Sequence, residues 1–195
     1  NRSVVIIEDI ERINESASNA LLKTLEDTNT GLFILITQRP EKLLSTIRSR
    51  CQIVPFIRLS DNNVNQIIQK LEIIHDKDEI PNKKIKELIN FSHGSPGRYL
   101  INLQFWLGIS SSLRQKLEFK LDNKIELLKL AKEITDELNI EQQLWLVDFE
   151  QNRVWIKKNN SNTVKKLEDL RKQLLNHVQP RLAWEVTLLE INLIT

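Results

Sequence analysis

The sequence predicts a two-part protein, mostly helical overall: an α/β segment over residues 1–57 and an all-α remainder. Three observations carry this. Val4-Val5-Ile6-Ile7 and Leu32-Phe33-Ile34-Leu35-Ile36 are continuous apolar runs without alternation, which suits strands covered on both faces in a parallel sheet. Between them Ala17, Leu21 and Leu25 recur every four residues, the stripe of a helix that covers such a sheet. From about Arg58 the β-branched runs vanish and helical periodicity takes over.

Element by element, Val4–Ile7 is the first strand, closed by Glu8-Asp9, and Asn14 caps the first helix. Asp27-Thr28-Asn29-Thr30-Gly31 is turn chemistry, and the second strand ends at Thr37. A short helix is expected around Glu41 to Arg48, then a third strand over Gln52–Ile57, which Pro55 confines to an edge or a strand end. Ser60 caps a helix through Val64, Ile67, Ile68 and Leu71, and Pro81 opens one through Ile85, Leu88 and Ile89. His93-Gly94-Ser95-Pro96-Gly97 breaks the chain before a helix with Leu100, Leu103 and Leu107, so residues 58–104 read as a three-helix bundle. Residues 105–195 read as helices over Leu113–Leu121, Lys124–Leu138, Glu141–Lys158, Val164–Val178 and Arg181–Leu193, separated by Asn-rich breaks and Pro180.

Composition excludes several function classes. Across the three segments, basic and acidic residues number 7 and 7, 7 and 6, and 14 and 13. No segment is strongly basic, so nucleic acid is met weakly or as part of an assembly. A single cysteine, Cys51, excludes an internal disulfide and a Cys-cluster metal site, and reads as a small buried residue. His75, His93 and His177 lack metal-ligand spacing. No apolar run reaches the ~20 residues that span a bilayer, so a cytoplasmic protein is expected. The chain holds no methionine and starts directly on a core strand, which implies an N-terminally truncated chain.

Three local patterns then line up: a strand ending in acids (Val4–Asp9), a strand ending in a hydroxyl (Leu32–Thr37), and Ser49-Arg50-Cys51 after a short helix. Their spacing resembles the later half of a AAA+ P-loop NTPase module, with Walker B, sensor 1 and the arginine-finger motif. Asn19-Ala-Leu-Leu-Lys-Thr-Leu-Glu26 and the run from Arg39-Pro40-Glu41 to Ser49-Arg50-Cys51 look closely like bacterial clamp-loader subunits of the delta-prime kind. Gly94-Ser95-Pro96-Gly97-Arg98 resembles the start of the sensor 2 helix, and Gln179–Glu185 the last collar helix of these subunits.

The resemblance implies a partial AAA+ domain over 1–57, a three-helix lid over 58–104 and a helical collar over 105–195. It implies a subunit of the DNA polymerase III assembly that helps load the sliding clamp onto primer–template DNA. Its partners would be the other subunits of a hetero-pentamer, the clamp and, through the assembly, DNA. Glu8 and Asp9 would sit near a magnesium ion and a water, Thr37 near the γ-phosphate of ATP, and Arg98 toward the same cleft. Arg50 would project into a neighbour's ATP site, where a guanidinium stabilises charge on the transferred phosphoryl. The family's Asp-Glu order is reversed here. Asp9 is a methylene shorter than the usual water-orienting Glu, a displacement of about an ångström that damages hydrolysis. This favours a subunit that lends an arginine over one that turns over ATP.

Two rivals stand beside that reading: the ATP-hydrolysing motor subunit of the same loader, marked by a G-x-x-x-x-G-K-[ST] loop, and a non-catalytic helical interaction protein on a AAA+ scaffold. Each residue also has a plainer role. Glu8 and Asp9 suit a solvated strand end, Thr37 a strand-end threonine, Arg50 a surface arginine paired with a nearby acid, and Arg98 a surface charge. The four tryptophans read as core or inter-subunit packing, and Lys83-Lys84, Lys157-Lys158 and Lys165-Lys166 as solvated helix faces.

Overall fold

In the computed structural model, which describes residues 3–26, 31–71, 80–118, 123–158, 160–176 and 178–194, the chain divides into two units, 1–57 and 58–195. In the first, β1 (Ser3–Ile7) pairs in parallel with β2 (Gly31–Leu35), in a register from Ser3 opposite Gly31 to Ile7 opposite Leu35. Gly31 is required there, because a Cβ would stand 2.4 Å from the Ser3 carbonyl oxygen. Between the strands runs α1 (Glu15–Glu26), started by Asn14, whose Oδ1 accepts from the Ala17 N–H at 2.8 Å.

Three expectations for this unit need correction. The strands are not covered on both faces: Val4 and Ile6 are 58% and 59% exposed, and β2 buries only alternate residues partway. Two strands and one long helix cannot cover two faces, and among the described residues of this unit the fully buried apolar side chains are Ile10 and Ile47. The third strand is absent: residues 52–57 are described but form no ladder, Pro55 offers no N–H, and Phe56 is 96% exposed. The short helix near 41–48 is instead a 3-10 turn (Pro40–Lys42) and one α-turn, α2 (Ser45–Arg48), split by extended Leu43. The turn at 27–30 lies outside the described residues.

The second unit is all helical: α3 (Asp61–Lys70), α4 (Asn82–Phe91), α5 (Pro96–Leu107), α6 (Ser111–Glu118), α7 (Lys124–Glu137), α8 (Ile140–Lys158), α9 (Ser161–Leu175) and α10 (Pro180–Ile194). Ser60, Ser95, Asn123 and Asn160 cap α3, α5, α7 and α9 through side-chain oxygens. One hydrophobic core runs from Val64 in α3 to Trp184 in α10, and α5 continues unbroken through residues 104 and 105. At its centre Trp145 stacks between Phe105 and Phe149, with ring centroids 5.5 and 5.2 Å away. The indole N–H groups are satisfied: Trp145 donates to Asn102 and Trp184 to Gln143, each at 3.0 Å.

Trp106, Trp145 and Trp184 are core residues, whereas Trp155 is 58% exposed. Cys51 is half-buried rather than buried. Lys83 does lie on a solvated face, but Lys84 does not: it is 3% exposed, with its ammonium 4.2 Å from the Trp106 ring centre. Glu87 at 2.8 Å and Glu118 pair with it, so α4 is tied to α6 by a charge inside the unit.

Candidate functional site

Parallel pairing in register brings the ends of β1 and β2 to one edge of the sheet, and with them Glu8, Asp9 and Thr37. Past the strands the backbone stays joined, Ile36 N–H donating to Ile7 at 2.8 Å and Ile10 N–H to Ile36 at 3.2 Å. Asp9 turns the chain in the left-handed region (φ 49°), a conformation that Asp tolerates better than most residues. Its carboxylate pairs with Arg12 at 3.5 Å across an exposed surface, a weak contact, and Glu8 is exposed.

Thr37 is held on both sides. Its hydroxyl donates to Glu11 Oε2 at 2.6 Å and accepts from the Arg39 N–H at 2.9 Å. Glu11 is the residue the sequence reading missed. The hydrogen bond from Thr37, with backbone help from Glu11 itself and Gln38, holds its carboxyl below the usual range. Its signal was modest: an acid two residues past the acidic pair, on the 3-10 turn Ile10–Arg12.

Arg50 follows α2 and is not gathered with these groups. Its Nη2 donates to Glu26 Oε1 at 2.6 Å and its Nη1 to the Thr46 carbonyl at 3.1 Å, with the side chain 40% exposed. Glu26 is the last residue of α1, which returns between two parallel strands and so ends at the opposite edge of the sheet from Glu8. Its 12 residues place Arg50 about 18 Å along the helix from the acidic edge. Arg98 belongs to the second unit, exposed in the first turn of α5, where its N–H donates to Ser95 Oγ at 3.3 Å.

ATP and magnesium are the groups that the resemblance implies for Glu8, Asp9 and Thr37. The residues here do not fit a nucleotide by themselves. The Thr37 oxygen is already used twice and Arg12 stands against Asp9. Among the described residues no three His, Cys, Asp or Glu side chains converge as metal ligands. No chemical step is therefore derived through either group.

Family and sequence matches place the chain in the clamp-loader class of AAA+ proteins. Residues 62–191 match the family described as Cyanobacterial DNA polymerase III delta prime, C-terminal domain, and residues 1–60 match DNA polymerase III, delta subunit. With more than half of its length in the first match, the chain belongs to the DNA polymerase III delta prime family. It is 42% identical over 57 residues to DNA polymerase III subunit delta' of Bacillus subtilis, covering 29% of this chain and 17% of that protein. The Pseudomonas aeruginosa delta' subunit is 47% identical over 51 residues, 26% of this chain and 16% of that protein. Replication factor C subunit 4 of Oryza sativa is 30% identical over 121 residues, 60% of this chain and 35% of that protein. The matches span roughly a sixth to a third of these relatives' own length.

Proposed function

We propose that the chain acts as the delta-prime-like subunit of a bacterial replicative clamp loader in the cytoplasm, helping to place the sliding clamp on primer–template DNA. In this role Arg50 completes the ATP site of a neighbouring subunit. The observation that carries the proposal is the position of Arg50: half-exposed at the far end of α1, remote from Glu8 and Asp9. An arginine so placed has no work to do on its own Glu8 and Asp9. Its pairing with Glu26 is exposed and worth little, so phosphoryl oxygens of a neighbour can replace that carboxylate. The reversed acid order and the engaged Thr37 hydroxyl support a subunit that lends this group rather than one that hydrolyses ATP.

On the same proposal α3–α5 form the lid and α6–α10 the collar that holds a hetero-pentamer. Leu175, Val178, Leu182 and Val186, exposed around the α9–α10 junction, are apolar surface suited to that packing. No described helix is long and apolar enough to cross a membrane.

The test reconstitutes the loader with the full-length subunit carrying Arg50→Ala and measures DNA-stimulated ATP hydrolysis. Turnover at the neighbouring site is expected to fall about a hundredfold or more, with assembly unchanged by size-exclusion chromatography. An unchanged rate rejects the finger assignment.

A further inference from the structure

A cleft of about 520 Å³ opens between α4 and α8, and nothing in the clamp-loader reading uses it. Its wall on α8 presents Phe149 and Ile156, the latter 54% exposed, an unusual position for a large apolar side chain beside charged ones. Its wall on α4 presents Lys83 and Lys86, three residues apart on one helix face. The other charges lining the cleft are already engaged. Glu87 pairs with Lys84 and Lys157, Arg153 with Glu150 and Glu118, and Asp61 accepts from the Asn90 amide at 3.4 Å. Both Lys83 and Lys86 are exposed, and no acid pairs with either among the described residues. Within the described residues α4 has no side-chain cap and no acid in its first turn.

We infer that this cleft docks an acidic segment of a partner protein, seating one apolar side chain beside Ile156 and carboxylates on Lys83 and Lys86. The inference does not depend on the role of Arg50. The charge pattern selects a peptide over a polynucleotide. Two lysines beside Asp61 and Glu87 neutralise few phosphates, and an apolar wall gives a sugar–phosphate backbone nothing. A free nucleotide is disfavoured too, because Phe149 is 1% exposed and stacked on Trp145, so no aromatic face is open to a base.

The test uses the 195-residue chain and a fluorescein-labelled peptide of alternating Asp and Glu around one central Leu, read by fluorescence anisotropy. Two control probes replace the acids by Gln or the Leu by Ser, and a third is a labelled single-stranded oligonucleotide of similar length. The acidic Leu peptide is expected to bind best. Lys83→Glu with Lys86→Glu is expected to weaken it about tenfold, and Ile156→Ser about fivefold. Lys129→Glu with Lys132→Glu, the same charge change on the exposed face of α7, is expected to leave binding unaltered; far-UV circular dichroism checks that each variant is folded. Equal losses in the two charge-reversal pairs, equal binding of the Gln probe, or preference for the oligonucleotide would each overturn the inference.

Discussion

Glu150 on α8 sets one carboxylate oxygen 2.8 Å from an Arg153 nitrogen and leaves the other, Oε1, enclosed without a hydrogen-bond partner. Burial pushes its pKa up; Arg153 and Lys84 pull the other way, and Glu118 and Glu87 add to the rise. A carboxyl whose folded pKa is raised contributes its stability below the unfolded value, about 4.3, and loses it as pH climbs through the folded value. At neutral pH Glu150 is therefore a liability relative to a neutral isostere. Glu150→Gln is expected to stabilise the helical unit by about 1 kcal/mol at pH 7, a gain that disappears below about pH 4. Urea melts at the two pH values measure it; a loss of stability at pH 7 would show that the Arg153 pair outweighs the enclosed oxygen. Glu87 has the opposite sign. Burial raises it, but the hydrogen bonds from Lys157 and Lys84 prevail and hold it below the usual range, so its stability is present at neutral pH and lost on acidification.

The start of α5 shows how one element is fixed by its approach. Ser95 caps the helix and Pro96 occupies its first turn, where a missing N–H does no harm. Just before them Gly94 has φ +80°, and a Cβ there would stand 2.4 Å from the Leu59 carbonyl oxygen and 2.8 Å from its nitrogen. Leu59 N–H in turn donates to the Gly94 carbonyl at 3.3 Å, joining the entrance of α3 to the entrance of α5. Gly94→Ala strains the backbone and separates these segments, and is expected to lower stability by about 3 kcal/mol in a urea melt. A loss below about 1 kcal/mol would mean that the loop moves freely away from Leu59. The caps of Ser60 and Asn14 were legible in the sequence because cap chemistry is local, whereas His93–Gly97 read only as a break before the helix. Lys84 was not, since its burial rests on Glu118 and Phe149, far along the chain. Only its spacing of four from buried Leu88 hinted that it faces inward. The Thr37–Glu11 contact was hidden for the same reason: it joins two turns that meet only after β1 and β2 have paired. The third strand failed on a further point, because apolar residues make a strand only where a neighbouring strand can accept their backbone bonds, and Gln52–Ile57 finds none.

On the scale of the whole molecule the two units hold themselves together by different means. The helical unit contains an entire core, Val64 to Trp184, within residues 58–195, whereas the α/β unit, among its described residues, buries two apolar side chains fully and exposes much of its sheet. All four tryptophans belong to the helical unit, so indole fluorescence reports on it alone. Residues 52–57 lead to the helical unit without regular secondary structure, outside any ladder, and carry Phe56 almost fully in solvent. An irregular, exposed segment with an aromatic side chain is what a protease cleft accepts, while Phe91, Phe105 and Phe149 sit in helices packed on the core. Low doses of chymotrypsin are therefore expected to cut after Phe56 before Phe91, Phe105 or Phe149, giving a helical fragment that begins at Ile57. Because the fragment retains every residue of the core cluster, its tryptophan emission maximum and its urea midpoint followed by tryptophan are expected to match those of the uncut chain. Mass spectrometry of the first products checks the cleavage, and the melt checks the independence. Protection of Phe56 would show that the 52–57 segment is covered in solution. A clear fall in the midpoint after cutting would show instead that the helical unit draws stability from residues 1–56, which its self-contained core gives no reason to expect.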